Sequence, residues 1–157
     1  MNWQEVCEHS NLRNLPFKIE LNSSGKIIMS PVKVYHSAYQ GAIGALLDRL
    51  LGKTILMECA IKTRQGTKVA DVAWASPQRF HRIKREVECS IAPEICIEVI
   101  SSSNTEEEMA EKRLLYFEQG AEEVWICSEN GDICFYNTEN QLLKSVRVPA
   151  FPNIIEI

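Results

Sequence analysis

The sequence predicts an α/β fold, and the stretch from Pro93 to Tyr136 carries the main evidence. Residues 94–100 are rich in Ile, Val and Cys with glutamates at alternate positions, which is typical of a strand. Overlapping capping boxes over 103–105, each with a Glu three residues on, predict the start of a helix. The pair Asn130-Gly131 favours a tight turn between two further strands. Strand, helix and hairpin therefore follow one another.

Similar signals predict the other elements in chain order. They are a short helix over 3–9, a hairpin of 17–21 and 26–29, a long helix over 34–51 ended by Gly52, strands over 55–62 and 68–75, a short basic helix over 78–84, and a final hairpin of 123–128 and 132–137. The final turn predicts Cys127 opposite Cys134, and we expect both as free thiols with diverging side chains. The six cysteines show no CxxC motif or Cys/His metal spacing, so a zinc site is not expected.

Length and composition predict one globular domain over 1–157. The 157 residues are 45% hydrophobic and 24% charged, which is ordinary for a soluble protein with its own core. The first ten residues lack a signal-peptide pattern, and no apolar run is long enough to cross a bilayer. We therefore expect a cytoplasmic protein with no membrane contact.

The charge distribution gives conflicting indications about nucleic acid. The net charge of −4 argues mildly against such a partner. Between Lys62 and Arg85, however, seven basic residues accompany a single acid, Asp71, so this segment carries +6. Clustered basic residues can contact phosphates, although a solvated loop face is the commoner explanation. The candidate nucleic-acid-binding residues are Arg79, Arg82, Lys84 and Arg85.

Three charged residues stand where apolar residues are expected. Asp71 and Glu98 lie in the middle of predicted strands, and Lys112 lies within the apolar arc of the helix that follows Glu98. Both Lys112 and Glu98 lie roughly 10 Å from the strand–helix junction. If the helix runs back over the sheet, the two side chains can therefore lie next to each other. Two interpretations stay open: a buried ion pair or site at the seam, and a lysine that extends its ammonium to water.

Together, these three residues suggest a metal site. Two carboxylates on neighbouring strands, roughly 5 Å apart, suit Mg²⁺, which prefers oxygen ligands. A lysine beside them could stabilise negative charge that develops on a phosphate. Taken singly, a mid-strand Asp is more often an edge or turn feature than a ligand.

Several stretches resemble a known family. The segments FKIELNSSGKIIMSP, VADVAW and PEICIEVISSSNTEEEMAEKRLLYFEQGAEEVW, with His36-Ser37 at the start of the long helix, resemble the Uma-two family of putative restriction endonucleases, within the PD-(D/E)XK nuclease superfamily. The resemblance spans 17–136. It implies a restriction endonuclease-like core, a mixed β-sheet flanked by helices, and a Mg²⁺- or Mn²⁺-dependent site that cleaves phosphodiester bonds, with DNA as the expected substrate. It also suggests a homodimer.

The resemblance assigns roles to individual residues. It makes Asp71 and Glu98 the catalytic, metal-binding pair, Glu20 an additional catalytic carboxylate and Lys112 the catalytic lysine. Most of the superfamily places this lysine two residues after the second acid, where this chain has Ile100.

Some residues depart from the family pattern or have an open role. Ala70 and Ser102 stand where proline is usual, which affects loop geometry more than the ligands. His36 either touches the site or is a structural residue at a helix start, and Glu58 is a lower-ranked carboxylate.

The alternative is a non-catalytic nucleic-acid-binding or interaction protein that keeps the nuclease fold. The intact acidic pair and lysine favour the enzyme. The acidic net charge and the lack of a recognisable target-recognition segment favour the alternative.

Overall fold

The computed structural model describes residues 1–52 and 54–157 and confirms the predicted fold class, a mixed β-sheet flanked by helices. The elements are α1 (Trp3–Glu8), β1 (Phe17–Leu21), β2 (Ile27–Pro31), α2 (Val34–Leu51), β3 (Ile55–Thr63), β4 (Gly66–Trp74), α3 (Pro77–Ile83), β5 (Ile95–Val99), α4 (Glu106–Glu118), β6 (Glu123–Cys127), β7 (Ile133–Tyr136) and β8 (Gln141–Leu142). In the described part of the chain, no helix is both long and apolar enough to cross a bilayer.

The main sheet has six strands in the order β3-β4-β5-β6-β7-β8, and β1 and β2 form a separate antiparallel hairpin. Strands β5 and β6 run parallel, whereas their neighbours pair antiparallel. The chain passes from β5 to β6 through α4, because parallel neighbours require a crossover connection. This crossover brings α4 back along the strand that carries Glu98.

The two faces of the sheet bury separate apolar clusters, as the alternation in β5 predicts. Ile95, Ile97 and Val99 pack in the cluster that contains α2. Cys96 packs on the other face, in the cluster that contains α4. Glu98 shares this second face by strand alternation, so its carboxylate is directed toward α4.

The β1–β2 hairpin is held against β4 at a very close approach. Gly66, at the start of β4, has φ +89°, and a Cβ built there would lie 2.3 Å from the Leu21 carbonyl oxygen. The Lys68 ammonium donates to the same oxygen at 3.2 Å, and the Val69 amide donates to Glu20 at 2.6 Å. Only glycine allows this contact, which brings the side chains of β1 over the sheet.

The predicted register of the last hairpin is wrong by one residue. Cys127 pairs with Ile133, and Cys134 pairs with Ile126. The Gly131 amide donates to the Ser128 carbonyl, and Gly131 has φ +90°, so the turn is a three-residue loop ending in a left-handed glycine rather than a two-residue turn. The free-thiol prediction is confirmed, since all six cysteines are free.

The hairpin contact at Gly66 can be tested by a pair of substitutions. Gly52 also has positive φ, +82°, but a Cβ there would meet nothing within 4 Å. Gly52 has ψ −158°, a region that is almost exclusive to glycine, so Gly52→Ala should cost backbone strain alone, about 1–3 kcal/mol. Gly66→Ala adds the clash with β1 to its own backbone strain. We expect urea unfolding to show a clearly larger loss for Gly66→Ala. Equal losses would mean that the hairpin is not held there.

Candidate active site

Four side chains that the sequence predicts as catalytic line one cavity of about 670 Å³. The hairpin, the sheet and the start of α4 surround it. Glu20 comes from β1, Asp71 from β4, Glu98 from β5 and Lys112 from α4. The fold therefore brings together residues that are far apart in the sequence. Glu20 and Glu98, for example, are separated by 78 positions.

Asp71 is almost completely buried and is held at both oxygens. Its Oδ2 accepts from the Val99 amide at 2.7 Å and lies 3.4 Å from His36 Nε2, while Oδ1 accepts from Lys18 Nζ at 3.1 Å. Burial raises the pKa of this carboxyl, but Lys18 and His36 outweigh burial, so the pKa of Asp71 lies below its usual range. Asp71 is therefore ionised and firmly oriented.

Glu98 has two ammonium partners and a phenol. Its Oε1 accepts from the Tyr116 hydroxyl at 2.6 Å and lies 3.1 Å from Lys112 Nζ, and its Oε2 lies 3.1 Å from Lys18 Nζ. Burial raises the pKa of Glu98, and the nearby lysines only partly oppose the rise. The two acids of the pair are thus perturbed in opposite directions, as is typical of functional sites.

Lys112 does not extend its ammonium to water. Its Nζ lies 2.9 Å from Glu20 Oε2 and 3.1 Å from Glu98 Oε1, and its side chain is only 12% exposed. Burial raises the pKa of Glu20, but Lys112 and Lys18 outweigh burial and the pKa is lowered. Of the two interpretations that the sequence left open, the structure has the buried ion pair at the seam.

Lys18 is the site residue that the sequence reasoning missed. Its ammonium bridges Asp71 and Glu98, and its side chain is 11% exposed. The carboxylates of Glu98 and Asp71 raise the pKa of Lys18 although burial alone would lower it. The signal was present, because alternation in β1 puts Lys18 on the same face as Glu20.

The two residues with an open role both line the cavity. His36 lies in the first turn of α2, beside Asp71, so it touches the predicted site. Glu58 is exposed and has φ +51°, a left-handed conformation in the middle of β3. Its chain neighbours Met57 and Cys59 pair with β4 on either side of the position of Asp71.

The donor set suits a hard cation but is small. Among residues 1–52 and 54–157, no group of three or more His, Cys, Asp or Glu side chains is arranged to hold a metal ion. Asp71 and Glu98 nevertheless present carboxylate oxygens to a single cation, the Lys18 ammonium. Because Mg²⁺ keeps several waters and often uses only one or two carboxylates, this pair fits such an ion in chemical type.

The basic residues predicted to bind nucleic acid lie outside the cavity. Of the seven basic residues between Lys62 and Arg85, a segment fully described by the structure, only Lys68 lines it. The Arg79 guanidinium is used internally, since its Nη1 donates to the carbonyl oxygens of Ala92 and Gly120 at 2.9 and 2.8 Å. The other three candidates are exposed: Arg82, Lys84 and Arg85.

Comparison with known proteins agrees with this architecture. A solved structure from Anabaena variabilis ATCC 29413, described as a putative nuclease belonging to DUF820, superposes with a TM-score of 0.67 at 18% identity, over 90% of this chain and 83% of that one. This likeness supports the fold. No curated protein matches the sequence significantly. The family model named Uma2 (Uma-two) and described as a putative restriction endonuclease matches residues 3–157, so the chain belongs to that family.

Proposed function

We propose that this protein is a metal-dependent endonuclease that hydrolyses phosphodiester bonds in DNA with Mg²⁺ or Mn²⁺. One observation carries the proposal: Asp71, Glu98 and Lys112, from two strands and a helix, converge in one cavity beside Glu20. Paired carboxylates and an ammonium are the groups that metal-assisted phosphodiester hydrolysis uses. Membership of a restriction endonuclease family supports the same reaction class.

Asp71 and Glu98 are the proposed ligands of the ion. When bound, such an ion polarises a phosphoryl oxygen and lowers the pKa of a bound water. The protein groups keep the two carboxylates in place. The Val99 amide and His36 orient Asp71, and the Tyr116 hydroxyl orients Glu98.

Lys112 is the proposed group that stabilises negative charge on the phosphate. Its ammonium is held between Glu20 and Glu98, so it is oriented before substrate arrives. Glu20 is in turn fixed by the Val69 amide, and its role is to position Lys112. A preorganised cation of this kind needs little rearrangement during the reaction.

The alternative, a non-catalytic binding protein, makes a different prediction for the same protein. It would bind DNA without cleaving it at any divalent-metal concentration. A homodimer and a single domain over 1–157 both stay predictions, which light scattering and limited proteolysis can test.

The first test of the activity uses Asp71→Asn, which keeps the size of the side chain and removes its charge. We expect cleavage of plasmid DNA with Mn²⁺ to fall about 100-fold or more, because a metal ligand is lost. Glu111→Gln is the matched control, since Glu111 lines the same cavity but is exposed. If DNA binds to the wild type but is not cut with Mg²⁺ or Mn²⁺, the non-catalytic alternative holds.

A second test concerns Lys112. Lys112→Met should lower the cleavage rate about 100-fold, because one preorganised charge-stabilising group is removed. It should also lower the unfolding free energy by about 3 kcal/mol, since Glu20 and Glu98 lose a buried partner. Lys68→Met, which removes another cavity lysine, should keep most of the activity.

A rescue variant separates catalysis from stability for Lys112. Ile100 lines the cavity and follows Glu98 by two residues. Lys112→Met with Ile100→Lys should regain part of the cleavage rate, because an ammonium reaches the phosphate from the residue that follows β5. Full activity in Lys112→Met alone would reject the catalytic role.

The exposed basic residues Arg82, Lys84 and Arg85 are the proposed DNA contact outside the cavity. Changing all three to Gln should reduce the slope of log binding constant against log salt by about three, roughly 0.9 for each phosphate contact. A control triple at Lys26, Arg49 and Lys144, also exposed, changes the net charge equally. Equal effects of the two triples would mean that the segment only contributes net charge.

A further inference from the structure

The four oxygens of the Asp71–Glu98 pair are divided into two kinds. Asp71 Oδ2 and Glu98 Oε1 are held by groups that fix the carboxylates: the Val99 amide, His36, the Tyr116 hydroxyl and Lys112. Asp71 Oδ1 and Glu98 Oε2 have a different environment. Among the described residues, their partner is the Lys18 ammonium, 3.1 Å from each.

We propose that the Lys18 ammonium is a resident cation that occupies the metal position, and that it leaves Asp71 Oδ1 and Glu98 Oε2 when a divalent ion binds. This inference rests on the proposed function, because it uses the same carboxylate pair. It assigns Lys18 the role of a positioning residue that competes with the metal.

Geometry and charge make the two occupants exclusive. Mg²⁺ binds its oxygen ligands at roughly 2.0–2.1 Å, which is much shorter than the contacts of an ammonium. An ammonium that still touches the same two oxygens would lie a few ångströms from the ion. Inside a buried site the repulsion between the two cations is strong, because the effective dielectric constant is far below that of water. The side chain of Lys18 must therefore move before the ion is coordinated.

The two lysines explain how two buried carboxylates, Asp71 and Glu98, coexist with the partly buried Glu20 without a metal. Lys112 pairs with Glu20 Oε2 and Glu98 Oε1. Lys18 pairs with Asp71 Oδ1 and Glu98 Oε2. In the metal-free protein, the ammoniums of Lys18 and Lys112 thus offset most of the negative charge of these carboxylates. The consequence is a weaker apparent metal affinity, since the competent state is only the fraction in which Lys18 has left.

Lys18→Met tests the competition through metal binding alone, without nucleic acid. We expect Mn²⁺ titrations followed by electron paramagnetic resonance to show binding about tenfold tighter or more than in the wild type, because the competitor is absent. Apo stability should fall at the same time. A purely structural lysine would lower stability without tightening Mn²⁺ binding.

Lys68→Met is the matched control for simple charge. Lys68 lines the same cavity but donates to the Leu21 carbonyl oxygen, away from the carboxylate pair. The Lys68→Met variant loses the same charge but keeps the Lys18 ammonium between Asp71 and Glu98. Its gain in Mn²⁺ affinity should therefore be much smaller. Equal gains in the two variants would overturn the proposal. Adding Asp71→Asn to Lys18→Met should abolish the gain, and a retained gain would likewise overturn it.

Failure of the inference and failure of the proposed function give different results. If the wild type and Lys18→Met bind Mn²⁺ equally, the competition is rejected while the metal site stands. If neither binds Mn²⁺, both the competition and the metal-dependent mechanism are rejected.

A measurement on the wild type covers the case in which Lys18→Met does not fold. A crystal structure with Mn²⁺ bound should show Lys18 Nζ displaced from Asp71 Oδ1 and Glu98 Oε2. An ammonium that still bridges these two oxygens beside the bound ion would overturn the proposal.

Discussion

The structure depends on one requirement: the buried carboxylates of Asp71 and Glu98 and the partly buried carboxylate of Glu20 must each keep a cationic partner. An unpaired charge in such a place costs several kcal/mol, so each partner fixes the element that carries it. Lys18 and Glu20 require the β1–β2 hairpin to lie over β4, and Lys112 requires α4 to run back along β5. The glycine at 66 accompanies this arrangement, because it permits the close approach of the end of β1 to β4.

The charged cluster is not explained by a gain in folding stability. Replacing a buried ion pair by apolar residues is often neutral or stabilising, so a cluster of this size is weak evidence for stability. Its arrangement is better explained by the site. Backbone and phenol donors fix one oxygen of each acid, while the other oxygen faces a flexible lysine side chain. Oriented carboxylates with a lysine ammonium between them are what the proposed reversible binding of an ion requires.

The sequence shows where a charged residue interrupts the apolar face of a strand or helix. It does not show which side chains tertiary packing brings together. Asp71, Glu98 and Lys112 interrupt apolar faces, which is why they could be singled out. Lys18 breaks no pattern, because β1 lies outside the main sheet and an isolated hairpin is expected to be half exposed. Arg79 shows the converse, since a basic cluster indicates charge but does not reveal that one guanidinium donates to the carbonyl oxygens of Ala92 and Gly120.

The position of the lysine changes how the site is assembled. Where acid and lysine share a strand, the pleat of that strand fixes both. Here β5 supplies Glu98 and the Val99 amide that orients Asp71, whereas the ammonium comes from α4 and is held by Glu20 on β1. The relation between acid and lysine therefore depends on the packing of the hairpin and helix against the sheet. A shift of either element would separate Lys112 from Glu98 while leaving β5 itself intact.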